Sequence, residues 1–429
     1  MTTSGYESDD ENLYWPDNAY YSFQKEEIEL LENASSDVFE MLCEVIDYLL
    51  DHPEITEKMA VPSWCLKAIK ESWEHPRLRV PKFYEFNSDT PTTLIEASTI
   101  QWLWLEQTGH GADQFNSLTE KLVEAWKRNL TEIEAVLGHR PTVHFTCTND
   151  DSSGEEPMTT TLLMETCRQA GWNTKPIYIE KIILNTADGR FYDTDGEHID
   201  VVFKLYPWEF MLEQHFGEAS FADMENIGLR NAEGEYIGGT IWIEAPYRML
   251  WANKAVWAIM WDMFKDDPRS KWLLPTYFDG EQPETLTQFC RKPIFAREGC
   301  DTTLQADGKV IANEKNGWYG QEGFVVQELA LLPEFKNKDG RPRFPVLGVW
   351  MIDGDPAGMG IREDEKPITT NSSCFIPHSI SDLPMGYEKC PVPELDEIEA
   401  ALMIDEHHEV EPKTEVLDYI QDAVRELGL

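Results

Sequence analysis

The sequence predicts an α/β protein (α+β in overall arrangement) with a helical N-terminal region and a strand-rich C-terminal part. Between residues 141 and 206 the patterns alternate as strand, loop, helix and strand. This order is typical of an α/β layer with a ligand loop at the carboxyl end of its first strand. From residue 291 onward short strand patterns follow one another, and Asp-Gly turns occur at 306–308 and 352–354.

Apolar residues at three-to-four spacing predict the N-terminal helices. Separate helices are predicted over 21–50, 94–107 and 117–137, and a further helix is predicted to begin within 62–73. In the third helix we expect Trp102, Trp104 and Leu105 on the buried side. The region is therefore expected to pack one apolar helix face against the rest of the protein.

The remaining elements follow from shorter patterns. The α/β layer is predicted from a strand at 141–147, a loop at 148–157, a helix at 158–170 and strands within 176–184 and 199–206. A helix is expected over 253–264, followed by a loop containing Pro and Gly. The predicted strands of the C-terminal part are "KPIFA", "KVIAN", "GFVVQEL", "FPVLGVWMI" and "AGMGIRE". A last helix-like stretch covers 414–427.

The charge balance limits the partners of the protein. The 429 residues include 79 acidic and 36 basic residues, which gives a formal net charge of −43. Such a surface repels nucleic acid and anionic lipid and favours cationic partners such as polyamines or metal ions. The alternative is a solvated acidic surface adapted to a salty environment. Charge alone does not identify a ligand.

Cysteine usage and hydropathy predict a reduced, cytoplasmic protein without a membrane partner. The eight cysteines form no CxxC pair and show no metal-ligand spacing with histidine. The first residues have neither a basic n-region nor an apolar h-region, so we expect no signal peptide. No apolar run approaches the roughly 18 residues that a membrane span requires.

A polar cluster follows the predicted strand "PKFYEF". Its side chains can form an Asn/Asp/Pro turn or an oxygen-rich site for a cation and a ligand, and the residues alone leave both interpretations open. The cluster contains Glu85, Asn87, Asp89, Thr90 and Thr92.

Three features of the C-terminal part have the chemistry of an anion or nucleotide site. Lys292 lies on a strand next to a Gly-containing turn, a combination that can hold a polyphosphate. Gln327 and Glu328 follow an apolar strand, where exposed backbone groups can bind an adenine edge. Arg362 suits bidentate recognition of a carboxylate or phosphate. Each feature also has a simpler explanation, as a solvated strand end or a surface salt bridge.

Taken together, six motifs resemble the glutathionylspermidine synthase family, in its stand-alone synthetase form without an amidase domain. The motifs are "EFNSDTPTTLIEAS", "FKLYPWE", "NKAVWAIMW", "RKPIFAREG", "GFVVQELALLP" and "AGMGIREDEKPITTN". The match runs from roughly the first helix to His378, with the motifs in the same order. The resemblance implies an ATP-grasp fold with a pre-ATP-grasp α/β domain and a helical N-terminal region. The implied division is 1–20 polar leader, 21–250 pre-ATP-grasp region, 251–380 ATP-grasp region and 381–429 acidic extension.

The resemblance also implies a reaction. ATP would phosphorylate the carboxylate of a glutathione-like peptide, and a polyamine such as spermidine would attack the acyl phosphate to form an amide. The implied cofactors are ATP and Mg²⁺. The oligomeric state stays open, a homo-oligomer included.

Site residues follow from the family motifs, position by position. Glu85 and Asn87 resemble the magnesium ligands, and Thr90, Thr92 and Glu155 or Glu156 resemble substrate-binding residues. Arg362 resembles an arginine that meets the acidic end of the peptide, and we predict it to be catalytic. The residues that resemble ATP-binding positions are Lys254, Lys292, Glu298, Gly299, Gln327, Glu328, Leu329, Ala330, Ile368 and Thr369.

One family motif is altered. The family has an Arg-x-Asp hairpin before the polar cluster, and here this hairpin is about ten residues short. We interpret Arg77-Leu78-Arg79 as its remnant, so that Arg77 keeps the catalytic arginine role and Arg79 stands where the family has a metal-binding aspartate. Asp89 or Glu74 would then have to replace that carboxylate. The alternative is a catalytically impaired homologue that binds nucleotide or a partner protein.

Overall fold

The computed structural model describes residues 15, 19–74, 88–90, 92–151, 153–315, 317 and 319–381. Several predictions from the sequence lie outside these residues and stay predictions. They concern Arg77, Arg79, Glu85, Asn87, the strand "PKFYEF" and the extension with its helix at 414–427.

Helices form most of the first part of the protein. They are α1 (Lys25–Asp51), α2 (Pro53–Lys58), α3 (Leu66–Glu74), α4 (Gln101–Thr108), α5 (Leu118–Leu137), α6 (Glu155–Gln169), α7 (Trp208–Glu213), α8 (Gly217–Met224), α9 (Arg248–Ala252) and α10 (Val256–Phe264). Within the described ranges, no helix has the length and apolarity needed to cross a membrane.

The strands form parallel and antiparallel sheets, so the predicted mixed α/β fold class is confirmed. They are β1 (Tyr21–Gln24), β2 (Thr142–Cys147), β3 (Asn173–Tyr178), β4 (Ile183–Asn185), β5 (Arg190–Tyr192), β6 (Val201–Leu205), β7 (Ile241–Ile243), β8 (Thr276–Phe278), β9 (Gln288–Pro293), β10 (Thr303–Ala306), β11 (Lys309–Asn313), β12 (Phe324–Glu328), β13 (Phe335–Lys336), β14 (Pro342–Ile352), β15 (Asp355–Asp364), β16 (Cys374–Phe375) and β17 (His378–Ser381).

The predicted α/β layer is a four-stranded parallel sheet in the order β3-β2-β6-β7. All side chains of β6 are buried, as are those of β2 after its first residue. Sheets of this kind are covered on both faces, here in part by α5 and α6. The carboxyl ends of β2 and β6 lie side by side, so the loops that follow them meet at one edge.

Two antiparallel sheets form the C-terminal part. One has the order β11-β10-β9-β12-β8 and the other β13-β14-β15-β16. Both predicted Asp-Gly turns close hairpins, between β10 and β11 and between β14 and β15. Asp and Gly have positive φ in each turn, with 48° and 82° at Asp307 and Gly308, as a tight hairpin requires.

The predicted first helix begins four residues late, since Tyr21–Gln24 is strand β1 and pairs in parallel with β17. The Gln24 N–H donates to the Glu27 carboxylate at 2.7 Å, which closes the start of α1 with a capping box. The predicted burial of Trp102 is wrong, because its side chain is 38% exposed, whereas Trp104 and Leu105 are buried. A π-helical turn at Glu96–Ile100 precedes α4 and rotates the following side chains relative to a regular α-helix.

The predicted loop 148–157 is also shorter than expected. Helix α6 already begins at Glu155, directly after Gly154, whose φ is 75°. Glu155 and Glu156 are therefore the first two residues of a helix and not loop residues. A backbone with positive φ favours glycine, which explains the position of the helix start.

Candidate active site

A cavity of about 650 Å³ lies at the carboxyl ends of β2 and β6. Its walls come from Thr90, Thr92 and Thr93, from the loop after β2 with the start of α6, and from the two antiparallel sheets. Residues predicted to bind substrate, to bind nucleotide and to act in catalysis meet here. Those that line the cavity are Thr90, Thr92, Glu155, Glu156, Glu298, Gly299, Arg362 and Thr369.

A buried ion pair fixes the turn that carries Thr90. The Lys204 ammonium donates to Asp89 Oδ1, and the Trp208 N–H donates to Asp89 Oδ2 at 2.6 Å. Neither Lys204 nor Asp89 is exposed to solvent. Burial raises the pKa of Asp89, and Lys204 opposes that rise. Both carboxylate oxygens of Asp89 are thus already bonded within the protein and hold the turn. This argues against the hypothesis that Asp89 replaces the missing metal ligand.

The acidic wall of the cavity is the start of α6. The Glu156 N–H donates to Asp151 Oδ2 at 2.8 Å, and the Thr148 N–H donates to Glu156 Oε2 at 3.3 Å. Burial raises the pKa of Glu156 to about 7, against the lowering effect of the Thr148 N–H. Burial raises the pKa of Glu155 to about 7 as well. These carboxylates, with Asp150 and Asp151, face the cavity from one side.

Arg297 connects the walls of the cavity, and sequence reasoning missed it. Its Nη1 donates to the Thr90 hydroxyl, and its Nη2 donates to Glu209 Oε1 at 2.8 Å. Its guanidinium carbon lies 5.6 Å from the centre of the Phe210 ring. Burial tends to lower the pKa of Arg297, but Glu209 outweighs that effect and raises it, so the guanidinium stays charged. The available signal was its position in "RKPIFAREG", immediately before Glu298.

Two lysines that do not themselves line the cavity lie close to Arg297. Lys254 Nζ donates to the Ala296 carbonyl at 2.5 Å, and Lys292 Nζ donates to Gln327 Oε1 at 2.7 Å. Burial lowers the pKa of Lys254 to about 7, and the neighbouring charges of Lys292 and Arg297 add to this lowering. Positive groups crowded in this way suit an anionic ligand, which would relieve their repulsion.

The turn with Glu298 and Gly299 packs tightly against residues 368 and 369. Gly299 has a φ of 69°, and a Cβ there would lie 2.5 Å from the Thr369 carbonyl oxygen and 2.8 Å from Ile368 Cγ2. Only glycine allows this approach. The turn and the segment that follows β15 therefore close over the same space between the two antiparallel sheets.

The predicted adenine-binding positions lie at the end of β12. Gln327 Nε2 donates to the Thr276 hydroxyl at 3.0 Å, and the Glu328 N–H donates to the Pro275 carbonyl at 2.8 Å. Leu329 and Ile368 belong to the same small apolar cluster, together with Leu304 and Cys290. Ala330 is exposed beside them. The structure thus brings these positions to one apolar slot beside Lys292.

Arg362 lies on β15 and supports the opposite wall. Its Nε donates to the Ser373 carbonyl at 3.1 Å, and its Nη2 donates to the carbonyls of Thr370 and Asn371 at 3.0 and 3.1 Å. Its charge lowers the pKa of Glu155, which places the two groups within electrostatic reach. The arginine therefore orders the 370–373 turn while its guanidinium lines the cavity.

A magnesium site is not visible in the described part of the chain. The predicted ligands Glu85 and Asn87 lie outside it, and no three His, Cys, Asp or Glu side chains within it are grouped to hold a metal ion. The predicted magnesium site therefore stays a prediction from the family motifs.

Comparison with known proteins places the chain among ligases. A Haemophilus influenzae protein provisionally named an acid–amine ligase is 30% identical over 86% of this chain and 92% of that protein. The trypanothione synthetase of Crithidia fasciculata is 25% identical over 68% of the chain and 44% of its own length. The bifunctional glutathionylspermidine synthetase/amidase of Escherichia coli is 23% identical over 83% of the chain and 58% of its own length.

The family match covers most of the chain. Residues 2–381 match the family described as "Glutathionylspermidine synthase preATP-grasp". The matched region contains every residue that lines the cavity, from Thr90 to Asn371. The relatives and the family match agree with the resemblance expected from the six motifs. The chain therefore belongs to the glutathionylspermidine synthase family.

Proposed function

We propose that this protein is an ATP-dependent carboxylate–amine ligase that forms a C–N bond between a glutathione-like peptide and a polyamine such as spermidine. The observation that carries this proposal is one cavity in which Arg297 and Arg362 face the acidic start of α6, with Lys254 close enough to Arg297 to feel its charge. Family membership and the names of the relatives, a provisionally assigned acid–amine ligase and two synthetases, support the reaction class.

The nucleotide would lie between the two antiparallel sheets. Lys254 and Lys292 would hold its phosphates, with the turn at Glu298 and Gly299 above them, and residues 327–330 with Ile368 would hold the adenine. The tight packing of Gly299 and the crowded lysines fit such a ligand. ATP supplies the phosphoryl group that activates the carboxylate.

The peptide carboxylate would bind beside Thr90 and Thr92. It is an anion that must approach a phosphate, and the repulsion between the two is the main obstacle to the reaction. Arg297 lies between the Thr90 turn and the turn at Glu298, so its positive charge offsets this repulsion. Arg362 would meet another acidic group of the peptide from the opposite wall.

The acceptor amine would enter along the acidic wall. Asp150, Asp151, Glu155 and Glu156 attract a polycation and hold it close to the activated carbonyl. Mg²⁺ bound by Glu85 and Asn87, and catalysis by Arg77, remain part of the prediction from the family motifs.

The alternative, a nucleotide- or partner-binding protein without turnover, keeps one observation in its favour. Asp89, one of the two candidate replacements for the family's metal-binding aspartate, is bound to Lys204 and the Trp208 N–H. A site short of one carboxylate would bind its metal more weakly.

The deciding experiment measures ADP release from ATP and Mg²⁺, with glutathione and spermidine present and each omitted in turn. Release that requires both supports the proposed ligase. Release that requires a different amine or acid keeps the reaction class and changes the substrates. Calorimetric ATP binding without ADP release across a panel of amines would overturn the proposal in favour of the binding protein.

A further inference from the structure

Amide formation from a polyamine requires the removal of protons. At neutral pH an aliphatic amine is an ammonium ion without a lone pair, and with a pKa near that of lysine only roughly one molecule in a thousand is uncharged. The ammonium must lose one proton before it attacks and a second proton as the amide forms. A ligase that binds the charged amine therefore needs a proton acceptor in its cavity.

Two of the five carboxylates that line the cavity, those of Asp151 and Glu156, already accept hydrogen bonds. Asp151 Oδ1 accepts from the Ser153 N–H at 2.8 Å and from its hydroxyl at 2.5 Å, and Asp151 Oδ2 accepts from the Glu156 N–H. Glu156 accepts from the Thr148 N–H. The carboxylates of Glu155, Asp150 and Glu298 receive no hydrogen bond from any residue that the structure describes, and of these three only Glu155 is half-buried, whereas the other two are exposed.

We propose that Glu155 is the general base of the ligation step. It takes one proton from the acceptor ammonium, and the freed lone pair forms the C–N bond at the carbonyl carbon of the acyl phosphate. The C–O bond to phosphate then breaks, and its electron pair leaves with the phosphate. The second nitrogen proton passes to that departing phosphate, so that the products are the amide, hydrogen phosphate and protonated Glu155.

The surroundings of Glu155 suit this role. Burial and, to a smaller extent, the carboxylates of Glu96, Asp151 and Glu298 together raise its pKa to about 7, while Arg362 acts in the opposite direction. These groups face it from the π-helical turn, the loop after β2, the turn beyond β9 and strand β15. A base is most effective when its pKa lies near the working pH, because it is then both largely deprotonated and able to hold the proton.

This role rests on the ligase function proposed above, and a comparison of two amines tests it separately. Hydroxylamine is uncharged at neutral pH and traps acyl phosphates as hydroxamates without prior loss of a proton. The variant E155Q should lose about 10²–10⁴-fold in the rate of spermidine ligation. It should form hydroxamate near the wild-type rate, because activation of the carboxylate does not use the base.

The pH profile provides a second measurement. In the wild type, kcat/KM for spermidine should rise with pH around 7 as Glu155 loses its proton, and this rise should be absent with hydroxylamine. E155Q should lose the rise, and E155D, which keeps a shorter base, should restore part of the rate. The control is E165Q on the same helix, where a carboxylate 44% exposed pairs with Arg168 and the wild-type rate is expected with both amines.

Two results would overturn the role of Glu155. Equal loss of both reactions in E155Q would mean that Glu155 serves the structure or the binding of the acid, and unchanged spermidine ligation would mean that another group takes the proton. If the wild type forms neither ADP nor hydroxamate, the ligase proposal itself is wrong, and the base is excluded with it.

Discussion

Arg297 is a single side chain that connects the substrate turn with the start of α7. The side chain of Arg297 is 25% exposed and that of its partner Glu209 is 15% exposed, so the pair is largely shielded from water. Arg297 Nε and Glu209 Oε2 are buried without a hydrogen-bond partner among the described residues. The ion pair therefore holds Arg297 in place, while the Nε–H of Arg297 stays available to donate to an anion.

We expect R297M to lower both stability and activity. Glu209 would lose its charged partner, at a cost of about 1–3 kcal/mol in the free energy of unfolding. ADP release should fall about 10²–10³-fold, because the charge between the two anions is lost. Denaturant unfolding and an ADP assay measure the two effects. The double variant R297M/E209Q should recover stability but not activity, and recovery of both would contradict the catalytic role.

Lys254 should make nucleotide binding depend on pH. Its pKa of about 7 in the free protein means that it is largely neutral above that pH, whereas bound phosphates favour its charged form. ATP binding should therefore take up a proton, and ATP affinity should fall as the pH rises above about 7. Calorimetry in buffers of different ionisation enthalpy measures the uptake.

The control for Lys254 is Lys265, which lies just after α10 and pairs with Asp262 while 47% exposed. K265M should keep the proton uptake, and K254M should abolish it along with much of the affinity. Uptake that persists in K254M would assign the titration to another group.

At the level of elements, sequence periodicity predicted helices and hairpins well and their exact limits less well. The helix α5 and the two Asp-Gly hairpins depend on local spacing and turn chemistry, which the sequence shows directly. Strand β1 was missed because its partner β17 lies far along the chain. The position of Trp102 was missed because a π-helical turn depends on packing and leaves no periodic signal.

The turn at Gly299 allows a test with a matched control. Gly299 and Gly308 both have positive φ, but a Cβ at Gly308 would meet no atom within 4 Å. Each alanine variant should lose about 1–2 kcal/mol of stability from backbone strain. Only G299A should also weaken ATP binding, because its Cβ pushes the turn away from Thr369. Equal ATP affinity in the two variants would show that the close packing does not shape the nucleotide site.

At the level of the whole molecule, an acidic protein of net charge −43 places Arg297 and Arg362 in one cavity together with five carboxylates. The motifs of the sequence contain most of the positions that meet there, and three of these motifs include the end of a strand, β6, β9 or β15. Two ion pairs connect the segments that carry these positions. Lys204 pairs with Asp89 and Arg297 pairs with Glu209, in each case more than 80 positions apart in the sequence. Such links depend on the tertiary fold, which a local pattern does not contain. The proposed division at residue 250 remains a prediction.

The pairing of β1 with β17 has a consequence for synthesis on the ribosome. Tyr21 pairs with His378, so the first described strand has no partner until more than 350 further residues have been made. Until then its backbone donors and acceptors, and the rings of Tyr21 and Phe23, form an open edge that can pair with other chains. Nascent chains that end before β17 should therefore be the aggregation-prone species. A chaperone that prevents this aggregation would have to shield β1.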